Sequence, residues 1–266
     1  MLSVQAAGLD IAYRKTGSGD PVFLINGTGE SGATWKLQTD HLSSRFTCVA
    51  IDQRDTGASS YVDEPYTPRD LATDASAVID ALSLGACHVI GYSLGGAVAL
   101  ELARARPDLV RSLVLLSTWA RSDEWFVAQM RSWQSIRRAH WDDERGFLDA
   151  LSPWLFSPST FAEPGRTWDI YALASGEYMP QRPEGWIRQC EADIANDARE
   201  ACASVTAPSL VIVGEDDICT PPRYARALAG MLDEASLVTV PAAGHAALQE
   251  QPELVDRAID EFVTRV

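Results

Sequence analysis

Gly91-Tyr92-Ser93-Leu94-Gly95-Gly96 decides the fold of this 266-residue chain. The apolar run Cys87-His88-Val89-Ile90 leads into it and the helix-prone Ala97-Val98-Ala99-Leu100-Glu101-Leu102-Ala103 leads out. The stretch therefore reads as strand, sharp turn and helix, with a serine at the apex. A turn that tight lifts the serine oxygen clear of a sheet and brings the unsatisfied N–H groups of a helix start beside it. Side chains two residues before and after the serine would collide across the turn, and Gly91 and Gly95 have none. A bare Gly-x-Ser-x-Gly also arises by chance in a chain with 18 glycines, so the flanking elements and two partners farther along must carry the reading.

The first partner follows Pro208-Ser209-Leu210-Val211-Ile212-Val213, an apolar run of strand length that ends in Gly214-Glu215-Asp216-Asp217-Ile218-Cys219-Thr220-Pro221. An acidic residue just past a strand end can orient a base. The second follows the β-prone Leu237-Val238-Thr239-Val240, where Pro241-Ala242-Ala243-Gly244-His245 precedes Glu250-Gln251-Pro252-Glu253 and a final helix. A histidine on such a loop can reach the serine. His41, His88 and His140 lack a comparable context.

The chain order serine, aspartate, histidine is that of the α/β-hydrolases, and the sequence resembles that family over nearly its whole length. Only the middle segment lacks a family pattern. Strands are expected near Leu2 to Gln5, Leu9 to Arg14, Val22 to Ile25, Phe46 to Ile51 and Ser112 to Leu116, with an amphipathic helix from Arg69 to Leu82. Alternation of this kind argues for a mostly parallel sheet covered on both faces. The expected architecture is an α/β fold of the α/β-hydrolase type, with an eight-stranded, mostly parallel sheet and a helical cap inserted after the sixth strand. The core then comprises residues 1–118 and 204–266, and the cap residues 119–203.

Length and composition agree. With 46% hydrophobic residues the chain can bury one large core, so a single domain with an inserted lid is a better count than two independent domains. No stretch approaches a membrane span and the N-terminus has no signal-like pattern, which points to a soluble cytoplasmic protein with no membrane partner. Five cysteines without metal-type spacing fit free thiols in a reducing compartment. A formal charge of -15 and the lack of a basic patch argue against nucleic acid as a partner. Oligomeric state is not legible.

The resemblance assigns further roles. Its motif spacing of glycine, two residues, aspartate, three residues, proline selects Asp217 over Asp216 through Gly214 and Pro221. Backbone N–H groups of Thr28 and Leu94 would form the oxyanion hole, the first from the loop Asn26-Gly27-Thr28-Gly29-Glu30 and the second from the residue after the serine. The family more often has histidine where Asn26 stands. The loop Asp52-Gln53-Arg54-Asp55-Thr56-Gly57-Ala58-Ser59 is similar to a family loop with glycine at the position of Asp55, and is read as structural. These two departures are similar to the branch that includes polyketide methylesterases.

The implied chemistry is nucleophilic attack by Ser93 on a carbonyl carbon, with His245 as base and then acid and Asp217 orienting it. No metal or organic cofactor is implied. A serine at the apex excludes the dehalogenases and epoxide hydrolases, which need a carboxylate there. Carbon-carbon hydrolases of ring-cleavage products share the oxyanion loop but usually carry asparagine before the nucleophile and tryptophan after the histidine, where this chain has Tyr92 and Ala246. Hydrolysis of a small-molecule ester or lactone is therefore expected, with carbon-carbon hydrolysis or a ligand-receptor role as alternatives. Cofactor-free haloperoxidases share the triad, and perhydrolysis stays open.

Seven of the eight tryptophans (Trp119, Trp125, Trp133, Trp141, Trp154, Trp168 and Trp186) lie in the expected cap. An aromatic lid suits an apolar or ring-bearing substrate, although large aromatics are usually buried for packing. Asn26, Tyr92, Trp125, Phe126 and Met130 are the candidate substrate contacts. Arg137 and Arg138 fit a substrate carboxylate or a solvated helix face.

Overall fold

The computed structural model describes residues 1–175 and 181–266. Its sheet contains β1 (Leu2–Ala6), β2 (Leu9–Thr16), β3 (Asp20–Ile25), β4 (Phe46–Ile51), β5 (Cys87–Tyr92), β6 (Val110–Leu116), β7 (Ser209–Gly214) and β8 (Ala235–Val240). The strands lie in the order β1-β2-β4-β3-β5-β6-β7-β8. The pairs β1/β2 and β2/β4 are antiparallel and the others parallel. Every strand expected from the sequence is present, extended by one or two residues where the backbone pairing outruns the apolar run.

The period of two divides the sheet into two cores. Phe23, Ile25, Val49, Val89, Leu113 and Val211 face one side. There they meet the helices α2 (Pro68–Ala81), α3 (Leu94–Ala105), α9 (Arg199–Ser204) and α10 (Pro222–Ala229). Val22, Leu24, Cys48, Ile90, Val114 and Ile212 face the other side, covered by α1 (Lys36–Leu42), α11 (Ala247–Glu250) and α12 (Pro252–Val263). Helix α2 starts where the sequence has a capping box: Thr67 and Asp70 satisfy each other's backbone, with Pro68 at the first helical position. No described helix is long and apolar enough to cross a membrane.

Between β6 and β7 the chain leaves the sheet and builds α4 (Glu124–Ala139), α5 (Glu144–Leu155), α6 (Pro158–Phe161), α7 (Arg166–Ser175) and α8 (Pro183–Ile194) before returning through α9. A third cluster, including Trp119, Phe126, Trp133, Phe147 and Trp186, holds α4, α5 and α8 together, while Ile170 of α7 packs with Phe156 and Ala246. Ala201 and Cys202 of α9 pack instead with the sheet-side core, so the expected boundary at residue 203 falls inside a helix seated on the core. Residues 176–180 of the expected cap lie outside the described residues.

Candidate active site

In a parallel sheet the strand carboxyl ends gather the loops into one crevice, and here four of those loops meet. The loop after β5 carries Ser93, that after β7 Asp217, that after β8 His245 and that after β3 Thr28. Ser93 stands at φ 54 and ψ -120, a backbone state that costs a non-glycine residue about 1–3 kcal/mol. The surroundings enforce it. A Cβ on Gly91 would lie 2.3 Å from the Gly95 carbonyl oxygen, and one on Gly95 2.1 Å from that of Ile25. The Ser93 N–H donates to the Leu116 carbonyl at 2.9 Å and its own carbonyl accepts from the Thr118 hydroxyl at 2.8 Å. The elbow is thus tied to β6 from both sides.

His245 Nε2 lies 3.0 Å from Ser93 Oγ, and His245 Nδ1 lies 3.0 Å from Asp217 Oδ2. A proton on Nδ1 shared with Asp217 leaves the Nε2 lone pair facing the serine hydroxyl. Asp217 is held by three donors: the N–H groups of Cys219 and Thr220, each at 2.8 Å from Oδ1, and the Thr220 hydroxyl at 2.8 Å from Oδ2. Glu215 and Asp216 are exposed and Asp217 is buried, so of the three consecutive acids only Asp217 faces the histidine. Burial works against charge on the His245 imidazole, but Cys219 and Asp217 outweigh it, Asp217 through both charge and hydrogen bond, and lift its pKa above the ordinary value.

Two residues that hold this arrangement were given no role in the sequence reading. Thr220 lies between Asp217 and the motif proline, and a hydroxyl one turn from an acid is a weak signal. Glu250 braces the histidine loop. It accepts from the Gly244 N–H at 2.7 Å on one oxygen, and from the Ser157 N–H at 2.8 Å and the Thr160 hydroxyl at 2.6 Å on the other. The Ala246 N–H donates to the Leu155 carbonyl at 3.0 Å, so the loop is fastened to the end of α5 and the start of α6.

The loop after β3 runs against the serine: a Cβ on Gly27 would lie 3.1 Å from Ser93 Cβ. Thr28 lines the space beyond. Leu94 is the first residue of α3, where a backbone N–H has no intrahelical partner. Glu30 also faces this space. Its carboxyl is raised to about 7, chiefly by burial, with His245, the Gly27 N–H and Thr34 pulling the other way.

Ser93 and His245 open into a cavity of about 290 Å³. Tyr92 forms part of its floor, its ring 5.2 Å from that of His245. The insertion supplies most of the rest, through Phe126, Met130, Trp133, Phe147, Leu151 and Trp186. The other expected contacts are corrected. Trp125 is 41% exposed on the outer face of α4, beneath the guanidinium of Arg223 at 5.0 Å. Asn26 is wholly buried behind the loop, where its side-chain amide donates to the Glu30 carbonyl and its backbone carbonyl accepts from the Gln53 amide at 2.8 Å. It braces the loop and does not line the cavity. Arg138 is exposed, whereas Arg137 lines the cavity, ion-paired to Glu144 at 2.9 Å.

Residues 22–258 match the model of the alpha/beta hydrolase family. A Mycobacterium tuberculosis protein provisionally named the non-heme bromoperoxidase BpoC is 31% identical over 97% of this chain and 99% of its own. A Variovorax paradoxus protein provisionally named the carbamate hydrolase RutD is 31% identical over 93% of each chain. Among solved structures, a thermophilic esterase from Thermogutta terrifontis superposes with a TM-score of 0.87 at 26% identity, covering 99% of this chain and 98% of that one.

Proposed function

The chain belongs to the alpha/beta hydrolase family, and on that footing we propose that it cleaves a carboxylic ester or lactone through an acyl-enzyme on Ser93. The observation that carries this reading is the hydrogen-bonded line from Ser93 Oγ through His245 to Asp217, with both links at 3.0 Å, opening into an apolar cavity.

His245 Nε2 takes the Ser93 proton as the oxygen attacks the substrate carbonyl, and passes it to the departing alcohol. Asp217 keeps the tautomer and stabilises the imidazolium. The Thr28 and Leu94 N–H groups receive the oxyanion, each worth about 3 kcal/mol. Water then enters by the same base and releases the acid. Helices α4 to α8 act as the cap, and their aromatic wall favours an apolar or ring-bearing acyl or alcohol group. A lactone is the same reaction with the leaving group tethered. A cytoplasmic setting belongs to this reading, which five cysteines without disulfide pairing fit.

The test is multiple-turnover hydrolysis of a panel of chromogenic acyl esters, small lactones and carbamates by the wild type and by Ser93→Ala. Loss of ester or lactone turnover in the variant supports the proposal. Turnover that survives it removes Ser93 from the mechanism. A preference for carbamates would move the reading to that bond, and a single slow turnover with a lasting adduct would favour a receptor.

A further inference from the structure

Helix α8 turns one face toward the loop after β3. Trp186, Gln189 and Asp193, spaced by three and four residues, share that face. The Thr28 hydroxyl donates to Asp193 Oδ2 at 2.7 Å and the Gly29 N–H donates to Gln189 Oε1 at 2.8 Å. The Trp186 ring lies directly over Gly29. Two consecutive loop residues are therefore gripped by two residues one turn apart on a helix that lies more than 150 residues away in sequence.

The helix is itself anchored. Arg188 meets Asp55 with two hydrogen bonds, Nε to Oδ2 at 2.8 Å and Nη2 to Oδ1 at 3.1 Å. Asp55 is fully buried and also accepts from the Val62 N–H at 2.9 Å. Its backbone stands at φ 65, a state that glycine enters more readily, yet a glycine has no carboxylate to offer α8. Gln181 completes the joint, donating to the Asp55 carbonyl at 2.7 Å and to Gln189 Oε1 at 3.0 Å. The aspartate that departs from the family pattern thus ties the insertion to the loop after β4.

We propose that Asp193 is a positioning residue for the Thr28 N–H, and that the Arg188–Asp55 pair keeps α8 in register so that Asp193 can act. The inference rests on the hydrolase reading above. A backbone donor stabilises an oxyanion only when it is aimed before the charge develops, and a flexible glycine-flanked loop does not aim itself. The hydrogen bond to Asp193 fixes the Thr28 side chain and with it the adjoining peptide. Burial, opposed by the Thr28 hydrogen bond and His245, raises the Asp193 carboxyl to about 8, so near neutral pH it is mostly protonated and places little negative charge beside the developing oxyanion.

The experiment compares wild type with Asp193→Ala, Asp193→Asn, Thr28→Val and Asp55→Gly/Arg188→Gln on p-nitrophenyl butyrate. Each is also titrated with a trifluoromethyl ketone, which binds as an oxyanion, and with the matching ether, which does not. Asp193→Ala and Thr28→Val should each lower kcat about 10- to 100-fold with KM within about twofold. The ketone should weaken in parallel and the ether should not. The double variant Thr28→Val/Asp193→Ala should be no worse than either alone, because one hydrogen bond is removed twice. Asp193→Asn, which still accepts from Thr28, should regain most of the loss, and the Asp55/Arg188 variant should show the same pattern more weakly. Unchanged kcat in Asp193→Ala and Thr28→Val, or equal weakening of ketone and ether, overturns the inference. If either alanine or valine variant fails to melt cooperatively, Asp193→Asn and the other variant carry the comparison. Ser93→Ala run alongside separates the failures: if it retains turnover the hydrolase reading falls and this inference with it, and if it alone is dead only the positioning role is lost.

Discussion

The indole of Trp186 covers Gly29 so closely that a methyl group on the glycine would lie 2.0 Å from the ring Cζ3. Gly29 also stands at φ 81, so Gly29→Ala meets backbone strain and a clash at once. It should cost about 2–4 kcal/mol and lower the melting temperature by roughly 4–7 °C. Trp186→Ala should be destabilising alone by about 3–5 kcal/mol. The double variant should fall short of the sum by about 1 kcal/mol or more, because removing the ring removes the clash. Thermal melts of the four proteins measure it. Strict additivity would mean that the loop and α8 do not press on each other.

With His245 as the base of the proposed mechanism, its raised pKa fixes the direction of the acid limb of activity. Below that pKa the imidazolium cannot take the Ser93 proton, so kcat/KM should climb with pH and reach half its plateau above about 6.5, the ordinary imidazole value. Asp217→Asn removes a carboxylate that favours the imidazolium. It should shift the limb to lower pH while reducing kcat by about 10⁴. A limb at or below the ordinary value in the wild type would contradict the geometry at Asp217.

His88 gives stability its own pH dependence, away from the site. It is buried in β5, with Nδ1 2.8 Å from Ser112 Oγ and its ring edge-on to Phe46. Burial, helped by Arg111 and opposed by Asp20, lowers its pKa to about 4. The unfolded chain binds this proton near pH 6.5 and the folded one only near 4. The contribution of His88 is therefore complete above about 6.5 and is lost progressively as pH falls toward 4, by about 3 kcal/mol in all. Urea unfolding of wild type and His88→Gln at about pH 7 and pH 4.5 isolates it. The gap between the two proteins should move against the wild type at the lower pH, and a constant gap would refute the assignment.

Glu250→Ala would strand three buried donors, the Gly244 and Ser157 N–H groups and the Thr160 hydroxyl. At about 1–3 kcal/mol for each unsatisfied group, and with partial relaxation, a loss of about 3–5 kcal/mol is expected. Since Gly244 adjoins His245, kcat should fall as well, while Glu250→Gln, which keeps an acceptor, should lose less of both. Differential scanning calorimetry and ester turnover on the same preparations provide the check. Normal stability in Glu250→Ala would show that water replaces the carboxylate.

The parts legible in the sequence were those encoded locally. Ser93 announces itself because strand, glycines and helix are contiguous, and Asp217 is selected by Gly214 and Pro221. The inward face of α4 was read only in part: Phe126 and Met130 were named and line the cavity, but Trp125 was grouped with them. Phe126, Met130, Trp133 and Arg137 follow a spacing of four, three and four, which leaves Trp125 on the opposite side. The pairs that link distant segments had no such signal. Asp55 with Arg188, Thr28 with Asp193 and Ser157 with Glu250 are partners only once the chain has closed on itself. Asn26 was misplaced for a related reason: its neighbours line the cavity, but the pleat and the turn aim its amide backward.

The ties at α8 and at Glu250 also bear on how such chains diversify. An insertion that merely roofed a crevice could be exchanged like a cassette, bringing a new specificity and leaving the chemistry intact. Here a foreign segment grafted between β6 and β7 would import new walls but strip Glu250 of its partners Ser157 and Thr160, and Thr28 of its anchor at Asp193. Recruitment of a new substrate by this scaffold is therefore confined to side-chain replacement within α4, α5 and α8, or to grafts that carry Ser157, Arg188, Gln189 and Asp193 with them.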